Sequence, residues 1–455
     1  MDQRFAVSAS VVAAGSLTLL DGTIVNVALP AISADLHLTV PGTSAVTVAY
    51  LIALATAIPL AGWVGDRFGE AVTLLGAMAL FTAASALCAL AGSFGALVAF
   101  RALQGLAGGL LLPTGTALLF RTFPPSERAR VAAIMAVPTA VAPAIGPVLG
   151  GVLVAHLDWR WIFAVNLPLG VAAVVFGLAF VDRHRGRRRA RLDAVGFALA
   201  AGGLVALMVG LDLGPRTGWG TPAAWGSIVG GVVLLGGLLG HQLTTPAPLL
   251  ALRLFGDRAF RYGSIVTLLQ SAAFAGTLYA VALFLQDGLG IDPLDAGLVM
   301  CADAVGVAVG ARLAGRFLYP RTGPRPLLIG GLLGMAAACA ALAVASGPWV
   351  IRAVLFGLGV SLALLIVSSQ ASTMARIHHD DLGAASTLVT AGRQVTSALG
   401  VALCAGLLGA AGYRWAFRLC AALAVVAVPA AARLRDADVR SPLDTGTASI
   451  SNSEC

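Results

Sequence analysis

The sequence predicts an all-α polytopic membrane protein, and three observations carry that prediction. Of 455 residues, 58% are hydrophobic and only 11% charged, whereas a water-facing surface needs about 25% charged residues. The apolar stretches run to the length of about 20 residues that a bilayer-spanning helix requires, roughly twice that of a barrel strand. Helices also satisfy their own backbone hydrogen bonds in lipid without closing into a barrel. A soluble enzyme is excluded, and no nucleophile or metal cluster suggests an integral-membrane one.

Breaks at Pro, Gly and charge clusters place fourteen spans, at 7–30, 44–64, 72–91, 96–119, 130–154, 160–181, 192–212, 222–241, 260–285, 294–314, 326–345, 349–374, 383–408 and 412–432. The first apolar run is longer than a signal-peptide core, contains Asp21 and lacks a clear cleavage pattern before Pro30, so it reads as the first membrane helix.

Orientation follows from arginine, because all 29 basic residues are Arg and short cytoplasmic loops collect positive charge. One set of alternate connections with both termini holds Arg4, Arg67, Arg121, Arg128, Arg130, the six arginines from Arg183 to Arg191, Arg253, Arg258, Arg261, Arg316, Arg321, Arg325, Arg376, Arg433, Arg435 and Arg440. The opposite set holds Arg160, Arg216 and Arg414. This 21-to-3 asymmetry predicts that both termini are cytoplasmic, which requires an even number of spans. The Arg183–Arg191 cluster, between two spans, reads as a topogenic or anionic-lipid segment rather than a nucleic-acid patch. The tail from about Asp436, rich in Ser, Thr, Asp and Gly, reads as disordered.

Cys88, Cys301, Cys339, Cys404 and Cys420 lie singly in apolar runs and Cys455 ends the chain, with no disulfide or zinc spacing. His378-His379-Asp380-Asp381 reads as a solvated turn. No metal and no cofactor is expected.

A charge near the bilayer centre costs about 2.5–3.5 kcal/mol on the insertion scale, so each one marks a functional candidate. Four stand out: Asp21, Arg101, Asp303 and Arg393. Arg101 shares a helix face with Gln104, Gly105 and Gly108, a stripe whose glycines admit a neighbour's backbone. Such an Arg needs a carboxylate or carbonyl partner. Asp303, on one face with Gly306, Val307 and Gly310, is a buried acid suited to a proton relay or a cation site. Asp21 lies deep in the first span, followed by Asn26 and Pro30. The fifth span carries Pro138, Pro143, Gly146, Pro147, Gly150 and Gly151; Pro147 cannot donate to the carbonyl of Pro143, and Gly146 with Gly150 makes a close-packing face. That suits a helix that bends or rocks against a partner.

These residues together resemble a family. Gly62-Trp-Val-Gly65-Asp66-Arg67-Phe-Gly69 is similar to the loop signature, motif A, of the major facilitator superfamily. Arg101-Ala-Leu-Gln104-Gly105 resembles its motif B, and Gly146-Pro147-Val-Leu-Gly150-Gly151 its motif C, associated with antiporters. Leu20-Asp21-Gly-Thr23-Ile-Val-Asn26-Val-Ala-Leu-Pro30, Trp159-Arg160-Trp-Ile-Phe163-Ala-Val-Asn166-Leu-Pro168 and Arg393-Gln394 with Gly400 resemble signatures of the fourteen-helix drug:proton antiporter branch. The chain departs from the pattern at Glu70 and Ala71, where motif A continues with basic residues, which is expected to weaken the charge latch there. Ala142 replaces the first Gly of motif C, and the second-half echo of motif A, Gly315-Arg316-Phe-Leu-Tyr319-Pro-Arg321-Thr-Gly323, has one extra residue and no acid.

The resemblance implies two six-helix bundles, at 1–181 and 260–435, with an Arg-rich loop and two inserted helices between them at 182–259 and a tail at 436–455. It implies a monomer in the bacterial cytoplasmic (inner) membrane, its partners a small organic substrate, protons and lipid, with no nucleic acid, and export of drugs, antibiotics or lipophilic cations against inward-moving protons by alternating access. Proton coupling would fall to Asp21, Arg101, Gln104 and Asp303. Substrate binding would fall to Asn26, Gln270, Phe274, Tyr279 and Asp303. Gating would fall to Gly62, Asp66, Arg67, Gly69, Gly146, Pro147, Gly150, Gly151 and Arg393, with Asp66 pairing with Arg67 or a neighbouring helix end. A dedicated exporter of a self-made metabolite or antibiotic, an importer or a transport-inactive membrane sensor are alternatives in the same fold.

Overall fold

The computed structural model describes residues 2–36, 40–124, 127–182, 192–217, 220–245, 251–291, 293–345 and 347–434; the Arg183–Arg191 cluster and the tail from 436 lie outside them. The order is α1 (Gln3–Asp35), α2 (Val40–Ala57), α3 (Leu60–Phe68), α4 (Glu70–Ala89), α5 (Phe94–Thr122), α6 (Arg128–His156), α7 (Trp161–Ala164), α8 (Asn166–Phe180), α9 (Ala194–Thr217), α10 (Pro222–Thr244), α11 (Arg258–Leu283), α12 (Pro293–Leu313), α13 (Tyr319–Thr322), α14 (Pro324–Leu342), α15 (Pro348–Thr373), α16 (Leu382–Ala411) and α17 (Tyr413–Arg433). No strand occurs among the described residues. By length and composition, eleven described helices could cross a bilayer, or twelve if one bent pair counts as a single span.

Local chemistry sets the helix ends. Asp2, Ser93 and Asp257 cap α1, α5 and α11, each side chain accepting from a backbone N–H in the first turn. The expected unbroken span at 44–64 is corrected: the chain bends by 57° between α2 and α3. Pro59 sits at the break, where it lacks a donor and its ring collides with the carbonyl one turn back. The turn from α3 into α4 needs Gly69, whose φ is 93°, a left-handed conformation that a Cβ disfavours. Its counterpart Gly323, with φ 76°, makes the matching turn into α14. The extra residue in that second-half echo is absorbed by a π-helical turn at Ala314–Leu318.

The helices pack in two groups. In the first, α1 lies against α5, α6 and α8, while α5 also packs on α2 and α4; in the second, α11 lies against α15, α16 and α17, while α15 also packs on α12 and α14. The inserted α9 and α10 pack on each other, and α9 reaches both α2 and α16, so the hairpin sits where the two groups meet. Asp193 anchors that hairpin, taking hydrogen bonds from Gly196 N and Gln242 Nε2 and lying 2.8 Å from His241 Nε2.

In lipid, helices associate through close van der Waals contact rather than hydrophobic burial, which puts small residues at the seams. A Cβ on Gly105 or Gly109 would strike the Tyr50 or Leu54 carbonyl of α2, and one on Gly306 would strike the Phe356 carbonyl of α15. Overpacking of this kind costs about 1–3 kcal/mol. Gly105→Ala and Gly306→Ala should each lower the thermal unfolding midpoint in detergent, while Gly76→Ala, whose Cβ meets nothing within 4 Å, should leave it unchanged.

Candidate functional site

The site is built around a buried ion pair. Asp21 of α1 and Arg101 of α5 are both fully inaccessible, and Arg101 Nη1 lies 2.5 Å from Asp21 Oδ2. The helical i,i+3 spacing puts Gln104 beside Arg101, and its amide serves both partners. Gln104 Oε1 accepts from Arg101 Nη1 at 2.7 Å, and Nε2 donates to Asp21 Oδ1 at 2.9 Å and to Ser85 Oγ at 2.7 Å. Asn166, the first residue of α8, donates from Nδ2 to Asp21 Oδ1 at 3.0 Å. The guanidinium is held on its other side by α2: Nε donates to Val46 O at 3.3 Å and the Tyr50 ring centroid is 4.3 Å away, a cation–π contact. Asn166 and Tyr50 are members of this network that the residue-by-residue reading did not name. Asn166 carried a signal, an amide within an apolar motif; Tyr50 carried none.

A cavity of about 510 Å³ lies between the two groups. Its walls are Val48, Leu51 and Ile52 of α2, Met208 and Val209 of α9, Ala275 and Tyr279 of α11, and Gln394, Ser397 and Val401 of α16, with three further small residues. Among the described residues the lining is apolar with three polar side chains and no charge, the makeup of a small-molecule pocket. Positions 46 and 50 differ from 48, 51 and 52 by about half a helical turn, so the ion pair and the cavity occupy opposite faces of α2.

The expected site residues distribute as follows. Tyr279 lines the cavity; Gln270 and Phe274 are not among its lining residues. Gln270 is buried and donates from Nε2 to Ser369 Oγ at 3.4 Å, and Phe274 packs into the core of the second group. The Asn26 side chain lies outside the described residues. Asp303 is buried on α12, which packs chiefly on α6 and α15, away from the Asp21 network and the cavity. Its Oδ1 has no hydrogen-bond partner among the described residues. Arg393 is half-buried on α16 and outside the cavity lining, while its neighbour Gln394 lines it.

A separate set of contacts lies at the Arg-rich end. Arg121 of α5 lies 2.9 Å from Glu70 and 3.6 Å from Asp66, and both acids sit against Gly383 at the start of α16, where a helix N-terminus favours negative charge. Glu70, expected to weaken this latch, instead supplies the shorter of Arg121's two ion pairs. Gly62 packs against Gly383 and Thr387, and Ser386 Oγ donates to Pro113 O at 2.5 Å. Arg67 is exposed. Gly146 is buried against α1, where a Cβ would strike Thr23, only two residues from Asp21. Gly150 is buried and Gly151 faces open space; the Pro147 side chain lies outside the described residues.

Removing one partner of a buried pair strands the other charge and costs about 3–5 kcal/mol. Arg101→Gln should therefore lower stability by that order, and adding Asp21→Asn should recover part of the loss. A double-mutant cycle of unfolding free energies in detergent measures the coupling.

The geometry agrees with comparisons to known proteins. The family model of the Major Facilitator Superfamily matches residues 11–266 and 263–450. The chain is 33% identical over 391 residues to the tetracenomycin C resistance and export protein of Streptomyces glaucescens, covering 85% of this chain and 72% of the relative. It is 29% identical over 443 residues to the putative multidrug resistance protein MdtD of Serratia proteamaculans, covering 94% and 91%. The human organic anion transporter MFSD10 superposes with a TM-score of 0.70 at 17% identity, covering 95% of this chain and all of that one. This chain is a membrane transporter of the major facilitator superfamily.

Proposed function

We propose that the protein exports organic compounds in exchange for protons by alternating access, and that the ion pair across α2 from the cavity couples the two. The supporting observation is that one helix carries both: Val46 O and Tyr50 hold Arg101, while Val48, Leu51 and Ile52 form a cavity wall. When a proton neutralises Asp21, the ion pair becomes a neutral hydrogen bond, and the hold of Arg101 on α2 and of Gln104 and Asn166 on Asp21 must readjust. A shift of α2 then reshapes the cavity from behind. Substrate in the cavity presses on the same helix from the other side, so proton and substrate each alter the affinity for the other, as linkage requires.

The energetics fit this arrangement. A proton moving inward through about 100 mV releases roughly 2.3 kcal/mol, and a hundredfold change in proton affinity between the two access states corresponds to about 2.7 kcal/mol. The fourteen-span reading, with both termini in the cytoplasm of a bacterial inner membrane, rests on the Arg asymmetry. With it, the latch of Asp66, Glu70 and Arg121 closes the cytoplasmic side, and the cavity, lined by α16 residues remote from that end, belongs to an outward-facing state. The proposed division is a bundle at 1–181, inserted helices within 182–259 and a bundle at 260–435, acting as a monomer. Gly62 and Gly146 serve the close contacts about which the bundles rock, and Gly69 the turn between α3 and α4. The uncharged lining favours lipophilic neutral or weakly cationic compounds, and Asp303 is the second acid available to a proton or a cation. Likeness to an antibiotic export protein favours, as a second reading, a dedicated exporter of one self-made compound.

The test is proton movement in inverted vesicles loaded with a pH dye, challenged with lipophilic cations and antibiotics. Substrates should drive protons out of an acidified lumen, and Asp21→Asn or Arg101→Ala should abolish this at unchanged protein level. If both variants kept substrate-driven proton flux, the coupling assignment would fail. Asp303→Asn should impair cationic substrates selectively; equal behaviour across the panel removes Asp303 from substrate choice.

A further inference from the structure

A second cavity, of about 590 Å³, lies at the Arg-rich end on the seam between α6 and α12. Three arginines line it: Arg130 from the first turn of α6, Arg312 from the last turn of α12, and Arg316 from the π-helical turn that follows. Its other walls are small or apolar, among them Ala133, Ala308 and Gly315, and no acid lines it among the described residues. Arg312 and Arg316 make no ion pair among the described residues. Arg130 lies 3.2 Å from Glu127, but that acid is held more closely by Arg4 at 2.7 Å. Arg321 adds a fourth cation nearby, its guanidinium and that of Arg316 both resting on the Phe317 ring.

Cations converging from two helix groups on one cavity repel one another, so closing this end is opposed unless an anion occupies the space between them. Arg312 and Arg316 are four residues apart, a helical spacing that puts both on one face toward the cavity. The groove lies at the ends of α6 and α12; where these helices span a bilayer, such a position falls near the headgroups, and the small residues leave room beside the arginines for a glycerol backbone and the start of an acyl chain. Guanidinium matches phosphate with paired N–H donors, and basic pockets between membrane helices recognise anionic headgroups.

We propose that this seam is a binding site for an anionic phospholipid of the Arg-rich leaflet, whose phosphate joins Arg130 of α6 to Arg312 and Arg316 and so favours the state in which that end is closed. The assignment of that leaflet to the cytoplasm rests on the orientation proposed above; the site itself does not depend on transport.

The test uses the full chain in neutral detergent, with native mass spectrometry and thermal unfolding as readouts, so that its failure is separate from any failure of the transport reading. Phosphatidylglycerol should be retained in preference to phosphatidylcholine and should raise the unfolding midpoint. In the variant with Arg312→Gln and Arg316→Gln, retention should fall by roughly tenfold or more and the rise in midpoint should vanish. Arg312→Lys with Arg316→Lys should keep part of both, and Arg376→Gln, at an exposed arginine elsewhere, should change neither. Equal retention by the double Gln variant, an equal loss in Arg376→Gln, or equal stabilisation by millimolar inorganic phosphate alone would each overturn the lipid assignment.

Discussion

The rest of the structure depends on one interaction, the salt bridge between Asp21 and Arg101 inside the first helix group. Two charges in a fully dry interior cost several kcal/mol each in lost hydration, and only a close partner with additional hydrogen bonds offsets that cost. Those bonds come from Gln104 on the same helix as Arg101 and from three further helices: Val46 of α2, where the Tyr50 ring adds a cation–π contact, Ser85 of α4 by way of Gln104, and Asn166 of α8. The network therefore fixes α1, α2, α4, α5 and α8 in one arrangement. Because the members of this buried network are linked by hydrogen bonds to one charge pair, neutralising one of them bears on all five helices.

Glycine provides the complementary freedom. At Gly105 and Gly109 the backbones of α5 and α2 meet without side chains between them, and Gly306 and Gly359 do the same for α12 and α15. These seams are tight yet lack interlocking side chains, so helices can slide or tilt along them with little repacking. The two groups meet at the Arg-rich end through α3, α5 and α16, where Asp66 and Glu70, both near Arg121, sit against Gly383. The structure thus combines a buried ion pair within the first group with a partly buried contact between the two groups.

Most of the fold was legible because lipid imposes a strict code: span length, loop arginines and Pro or Gly breaks are local properties of the chain. The ion pair was legible in half. Asp21 and Arg101 each announce themselves as charges within apolar runs, but which acid meets which arginine depends on how α1 and α5 face each other. Asp303, equally prominent in sequence, lies apart in the other group for that reason. Tyr50 and the inserted α9 were invisible as site elements, since an aromatic and two aliphatic residues on amphiphile-free helices look like ordinary packing. Glu70 was read with the wrong sign because its partner, Arg121, is 51 positions away and meets it only in three dimensions.

The central claim, that Asp21 is the group that gains and loses the transported proton, is tested most directly by infrared difference spectroscopy of the purified protein with and without substrate. The account predicts a protonated-carboxyl band that changes on substrate addition and is absent from the difference spectrum of Asp21→Asn. A band that persists undiminished in Asp21→Asn would contradict it.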